Sequence, residues 1–426
     1  MREIGVGDTT FPARLFFFRS SDQLVGPSRL ILGLSSLSAR SVQPFCLFPG
    51  MAGNCEIYHR FLLLDKVTLT DLCKLCDDED HVRSYCFKTG LLGDFGGDCP
   101  KCGEGTVTLR KDSSAFDGYK WRCSRTKNCS YKLNIREKSF FDESRLKIGV
   151  ILKIVYHWCW GHTLEEVRHE VGISGTDTAV NWYSYCREVC EQILIEDNRP
   201  VGGPGLTVEI DESKYGKRKY NRGRRVEGQW VFGGICREDK NCFLVTVPDR
   251  SSDTLIPIIN TLIAPGSTIN SDCWASYNSI SAQERQYIHK RVNHSIEFVT
   301  SSGPDIGTHT NLIESTWRAS KGDLPKTGTQ KQLLQSYLWV YCVKKRYLGD
   351  KTSKFKSFIE LIKRVYKVPR FDNSLGTPRK DAWIYKGKYH KSTQTEIPKK
   401  KPVCTITNNN NSDSDDFEPA KKQKKH

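Results

Sequence analysis

Residues 206–225 read LTVEIDESKYGKRKYNRGRR, and this stretch decides the architecture. Its first part alternates. Val208 and Ile210 fall on one side of an extended chain, Glu209 and Asp211 on the other, as the two-residue repeat of a β-strand requires. The acidic pair therefore points toward a common site. Clustered carboxylates are costly to bury unless a cation pairs with them, and Mg²⁺ accepts oxygen ligands from one or two carboxylates while keeping waters. The second part carries seven basic residues in the twelve from 214 to 225: Lys214, Lys217, Arg218, Lys219, Arg222, Arg224 and Arg225. Cations beside acidic metal ligands make sense where a phosphate backbone lies across the site, because they offset its repulsion by the carboxylates. The alternative for the loop is a solvated hairpin turn.

Downstream, the strand pattern continues in QWVFGGIC and NCFLVTV, gives way to an apolar helix at TLIPIINTLI, and returns in STINSD. Helices follow at NLIESTWRASK, KQLLQSYLWVYCVKKRY and SFIELIKRVY. Two carboxylates end strand runs, Asp211 and Asp272, and a third, Glu314, sits in a helix. Carboxylates from two strand ends and one helix can converge on a pair of Mg²⁺ (or Mn²⁺) ions, as DNA cleavage requires. Taken singly, Asp272 also reads as the cap of a following helix that Trp274 and Tyr277 pack, and Glu314 as an ordinary charged helix residue. The strand–strand–helix set is what lifts them.

Upstream, the glycine- and proline-rich residues 200–205 are a linker by composition. Residues 142–197 are helical, with TLEEVRHEVGIS and TDTAVNWYSYCREV in the layout of a helix-turn-helix. Its first helix would stop at Gly172, Thr176 or Asp177 would cap the second, and Asn181, Tyr185 and Arg187 would face a DNA groove. A plain helical bundle with Trp182 and Tyr183 in its core fits the same residues. Residues 96–138 hold Cys99, Cys102, Cys123 and Cys129 in a C-x2-C-x20-C-x5-C pattern, the ligand set of one tetrahedral Zn²⁺, with buried structural cysteines as the alternative. Ten Lys or Arg against four acids from 99 to 138, with Tyr119, Trp121 and Tyr131, suit contact with nucleic acid. Cys73, Cys76, His81 and Cys86 have zinc-knuckle spacing, but Asp77, Asp78, Glu79 and Asp80 between them favour a helix start. Residues 56–95 read as short helices stopping at Thr89–Gly90.

Residues 1–55 lack periodicity and read as a disordered or poorly defined extension, with a transit peptide and a start at Met51 as alternatives. Residues 371–426 read as a disordered basic tail whose PKKKP and KKQKK clusters suit nuclear import. Sixty-five Lys plus Arg against 49 Asp plus Glu leave a net charge of +16, which suits a polyanion such as double-stranded DNA. No apolar run approaches the ~20 residues of a membrane span, so no membrane partner is expected. Seventeen cysteines without a signal peptide fit a reducing compartment better than a disulfide framework.

The segments GGPGLTVEIDESKYGKRKYNRGR, QWVFGGI, SDCWASY, VNHSIEFV and HTNLIESTWRASKG, in this order and after the CPKCG ribbon, resemble the Merlin superfamily of cut-and-paste transposases, relatives of bacterial insertion-sequence transposases. The resemblance spans about residues 85–350. It implies an α/β, RNase H-like catalytic domain at 206–370, a catalytic triad of Asp211, Asp272 and Glu314, two divalent metal ions per site, and a ribbon zinc on Cys99, Cys102, Cys123 and Cys129. The expectation is a DNA transposase working on transposon ends and target as a homo-oligomer in the nucleus, with His294 or His309 as candidates to position the attacking water. Two rivals stand beside it: a domesticated DNA-binding derivative, and an RNase H-like nuclease without strand transfer.

Overall fold

The computed structural model describes residues 56–216, 228–282, 284–293, 308–325, 330–349 and 353–369. Of the seven basic residues of the loop, Lys214 is among them. Lys217, Arg218, Lys219, Arg222, Arg224, Arg225 and His294 lie outside the described residues, as do the N-terminal extension and the basic tail.

The alternating stretch forms β5 (Thr207–Tyr215), which runs four residues past Asp211 instead of ending there. It lies at the centre of a mixed five-stranded sheet. β6 (Gln229–Cys236) pairs antiparallel with it, β7 (Cys242–Val247) antiparallel with β6, and β8 (Thr268–Asp272) and β9 (Ile288–Val292) continue in parallel on the other side, giving the order β7-β6-β5-β8-β9. β9 has no strand signal in the sequence, because most of its side chains are exposed or half-exposed and polar.

Helices cover both faces. Val208, Ile210, Phe232 and Ile269 pack against Leu255 and Ile259 of α7 (Ser252–Leu262). On the opposite face Val231, Ile235 and Leu244 meet Ile313 and Trp317 of α8 (Asn311–Gly322) and Leu338 of α9 (Leu334–Val343). The 200–205 linker is docked: Val201 bridges to Ile263, and Gly203 N–H donates to Ser267 Oγ at 2.8 Å.

The preceding residues form a second core. It takes in α1 (Glu56–Leu63), α2 (Leu69–Cys76), α3 (Glu79–Thr89), a four-stranded antiparallel sheet of β1 (Gly97–Asp98), β2 (Thr106–Lys111), β3 (Tyr119–Cys123) and β4 (Lys132–Asn134), and then α4 (Ile148–Trp160), α5 (Leu164–Val171) and α6 (Thr176–Asp197). Two helix stops fall at the expected glycines: Gly90 at φ 75° after α3 and Gly172 at φ 71° after α5. The acidic stretch is a helix start, with Asp78 accepting from Asp80 and His81 N–H, so Cys73, Cys76, His81 and Cys86 do not gather around a common point.

Three expectations are corrected. α10 (Lys354–Val365) packs Phe355, Phe358 and Ile362 into the N-terminal core, so the 206–370 boundary does not hold and the chain returns to its first body. Gly175, rather than Thr176 or Asp177, is the N-cap of α6, with no side-chain bond to the helix. The face proposed for a DNA groove is largely used internally: Tyr185 packs edge-on against Trp182, and the Arg187 guanidinium lies 5.0 Å from the Tyr337 ring. Trp182 is buried, while Tyr183 is half-buried with its hydroxyl on His162 O. No helix of the described residues is long and apolar enough to cross a membrane.

Candidate active site

β5 and β8 run in parallel with Thr207 beside Thr268, Val208 beside Ile269 and Glu209 beside Asn270, a constant offset of 61 residues. Continued by two residues, that register sets Asp211 beside Asp272, since 272 − 211 is also 61. Neighbouring strands are about 4.8 Å apart, and residues in register on parallel strands face the same side. Asp211 Oδ2 accepts the indole N–H of Trp317 at 2.8 Å, and its Oδ1 accepts Glu212 N–H at 2.7 Å. Burial nevertheless pushes its carboxyl up to about 6, helped by the charges of Asp272 and Glu314, while the two hydrogen bonds oppose the rise. A divalent cation would offset both the burial and the two like charges. The donor set, all carboxylate oxygen, suits Mg²⁺ or Mn²⁺.

Asp272 Oδ1 accepts Trp274 N–H at 3.0 Å, so this residue both ends its strand and caps the turn that follows. That turn is a single 3₁₀ turn, Ala275–Tyr277. Glu314 occupies the first turn of α8 and is exposed. Asp211 thus feels the charges of both Asp272 and Glu314, although three carboxylate oxygens do not come within 4.8 Å of one another.

Glu209 shares the face of Asp211 but not its role. It is fully buried, accepts Arg237 Nε at 2.6 Å on Oε1, and accepts the backbone N–H groups of Leu312 and Ile313 at 2.8 and 3.0 Å on Oε2. A carboxylate on unpaired helix-start amides satisfies them and favours the positive end of the helix. Glu209 therefore pins α8, and with it Glu314 and Trp317, to the sheet. His309 Nδ1 stands 3.5 Å from Glu209 Oε1, beside this anchor.

The sequence reading missed three participants. Trp317 is the first, and its place depends on Gly233, paired with Asp211 across the ladder: a Cβ there would lie 2.5 Å from Trp317 Cη2. Glu212 is the second. Burial lifts it to about 7, Tyr277 donates its hydroxyl to Oε1, and Arg250 Nη1 stands 3.9 Å from Oε2. Lys321 is the third, bonded to Ser213 Oγ at 2.6 Å in the strand of Asp211. Three carboxyl groups in the six-residue VEIDES run were the available signal for Glu212; nothing local marked Trp317 or Lys321.

The cysteine module makes a second candidate centre. The sulfurs of Cys99, Cys102, Cys123 and Cys129 lie within 4.8 Å of one another, with Cys99–Cys129 and Cys102–Cys123 each at 3.7 Å. A tetrahedral zinc with Zn–S bonds of about 2.3 Å sets its sulfurs about 3.8 Å apart, so the arrangement fits zinc. Cys99 N–H donates to Gly105 O and Gly103 N–H to Cys99 O, with Gly103 at φ 69°, forming the first knuckle. A Cβ on Gly105 would fall 2.4 Å from Cys123 Sγ. The longer Cys123–Cys129 spacing is taken up by a turn in which Asn128 and Cys129 N–H both donate to Arg125 O.

Residues 196–347 match the model of a family described as the ISXO2-like transposase domain. An uncharacterized transposase-like protein of Haemophilus influenzae is 30% identical over 126 residues, which are 29% of this chain and 93% of that one. Among solved structures, the HTLV-2 integrase catalytic core domain in complex with magnesium matches in a dimeric form at 14% identity, over 36% of this chain and 97% of that one, with a TM-score of 0.23. Its trimeric form matches at 13% identity, the same coverage and a TM-score of 0.21.

Proposed function

We propose that this chain, which belongs to the ISXO2-like transposase family, is a metal-dependent DNA transposase of the RNase H-like type that cleaves transposon ends and joins them to target DNA. The observation that carries this reading is the parallel register of β5 and β8, which, continued by two residues, would bring Asp211 level with Asp272 on the sheet face to which Glu209 ties the helix of Glu314. The sheet order and the layer of helices on each face support the RNase H-like assignment.

Asp211, Asp272 and Glu314 would hold two divalent cations, Mg²⁺ or Mn²⁺. Bound there, such ions activate an oxygen nucleophile and stabilise the leaving oxygen of an in-line displacement. The protein's own part is positional. Trp317 favours the ionised form of Asp211, opposing part of the rise that burial causes. Trp274 N–H aims Asp272, and Glu209 fixes the helix that presents Glu314. The zinc ribbon, the cations at Lys214, Lys217, Arg218, Lys219, Arg222, Arg224 and Arg225, and the +16 charge of the chain support double-stranded DNA as partner. A homo-oligomer as the active species and nuclear delivery by the two basic clusters of residues 398–425 belong to the same reading.

The test is Asp211→Asn, assayed with Mg²⁺ or Mn²⁺ on DNA carrying the ends of the element that encodes the chain. Cleavage and strand transfer are expected to disappear while DNA binding persists. Undiminished cleavage by this variant would overturn the assignment.

A further inference from the structure

On the other face of β5 from Asp211, the Arg250 guanidinium lies between two indoles, 4.2 Å from the Trp230 ring centre and 4.2 Å from that of Trp274. Lys214 Nζ stands 5.3 Å from the Trp230 ring. The stack is braced from behind. Arg250 O accepts the Trp274 indole N–H at 3.1 Å and the Ser276 hydroxyl at 2.7 Å, and Arg250 Nη1 faces Glu212, which the fully buried Tyr277 also holds. Despite this bracing Trp274 keeps 37% of its surface exposed. A large aromatic ring on a rigid mount that still keeps over a third of its surface in solvent offers a face for a planar partner to cover.

Two further facts give the stack a direction. The backbone N–H of Trp274 is the donor that holds Asp272 Oδ1 at 3.0 Å, so one residue orients a triad carboxylate and displays the indole. The indole N–H is already spent on Arg250 O, so what remains to offer is a π face and not a hydrogen bond. Among the described residues, Arg250 faces Glu212, while Lys214 adds a second cation at the Trp230 ring that could meet a phosphate. A polarised, sequence-tolerant ring face with a lysine nearby fits an unpaired nucleobase on its sugar-phosphate strand.

We propose that Trp274, backed by Arg250 and Trp230, is a stacking site for an unpaired base of the DNA strand that enters the Asp211–Asp272 centre, with Lys214 taking an adjoining phosphate. This rests on the reading of the chain as a DNA transposase, and its test is independent of catalysis. The full-length protein is titrated, without added divalent metal, against two fluorescein-labelled probes of about twelve nucleotides: oligo-dT, and an abasic strand with the same backbone. The wild type is expected to prefer oligo-dT. Trp274→Ala is expected to lower oligo-dT affinity roughly tenfold and leave abasic binding unchanged, and Trp274→Phe to restore most of the loss. Lys214→Ala is expected to weaken both probes and to reduce their salt dependence. Equal wild-type affinity for the two probes, or a Trp274→Ala loss that is the same for both, would overturn the stacking site. Neither result bears on cleavage by the triad, which the Asp211→Asn assay reads separately.

Discussion

Trp317 donates its indole N–H to Asp211 Oδ2 at 2.8 Å, from a point on α8 three residues beyond Glu314. The helix that carries Glu314 thus also holds Asp211, adding a hydrogen bond across the sheet–helix interface to the two that Glu209 makes with Leu312 and Ile313.

Trp317→Phe removes that donor while keeping an aromatic ring in the layer. Asp211 should become easier to protonate, and cleavage at neutral pH should fall on the order of tenfold, the scale of a hydrogen bond to a charged group. Gly233→Ala should reach the same place by another route, since the added methyl meets Trp317 and Leu244. Overpacking of this kind costs about 1–3 kcal/mol. Rates measured at saturating Mg²⁺, together with urea unfolding, separate the two effects.

Glu209 and Asp211 should part company on mutation. Glu209→Gln leaves Arg237 without its charge partner and weakens the seat of α8. Urea unfolding is expected to show a loss on the order of 2–4 kcal/mol, below the full range for a broken buried pair because the Arg237 side chain is 25% exposed. Asp211→Asn should unfold no more easily than the wild type. Equal stability of the two variants would remove the anchor role of Glu209.

Stability should depend on pH in an unusual direction. Asp211 and Glu212 hold their protons more tightly folded, near 6 and 7, than unfolded, where the ordinary values are 3.8 and 4.5. The native state therefore binds more protons than the unfolded state between about pH 4 and about pH 7. Across that window these two groups make stability fall as pH rises. A divalent cation relieves the ionised Asp211, so added Mg²⁺ should raise Tm more at about pH 8 than at about pH 5. Thermal melts of the wild type and of Asp211→Asn, with and without Mg²⁺, check this. A Mg²⁺ effect that is equal at both pH values, or intact in the variant, would count against it.

Elemental analysis should find about one zinc per chain, and Cys102→Ser should lose it together with the folded ribbon. Gly105→Ala, whose methyl would collide with Cys123 Sγ, should weaken zinc retention without touching a ligand. Zinc content that is the same in Cys102→Ser as in the wild type would refute the four-cysteine site.

The legible parts were those written in local chemistry. A period of two in VEID, the glycines after α3 and α5, and the CPKCG knuckle all act over a few residues, so strands, helix stops and the first ribbon turn could be read directly. The illegible parts were those that need a partner far along the chain. Alternation put Glu209 on the face of Asp211, but its engagement with Arg237 and the start of α8 involves residues 28 and 104 positions away. Amphipathicity marked α10 as a helix and could not say which core it joins.

By itself the sequence determined the residue types of the site, their strand–strand–helix order and the four-cysteine ligand set, because periodicity and ligand spacing are local properties. Only the tertiary structure decided which carboxylates stand together. Residues 61 positions apart, such as Glu209 and Asn270, become neighbours through the register of two parallel strands, and that register is set by cores packed on both faces of the sheet. The same packing turned Glu209 from a metal-ligand candidate into a helix anchor, and brought Trp317 onto Asp211 where a glycine left room for it.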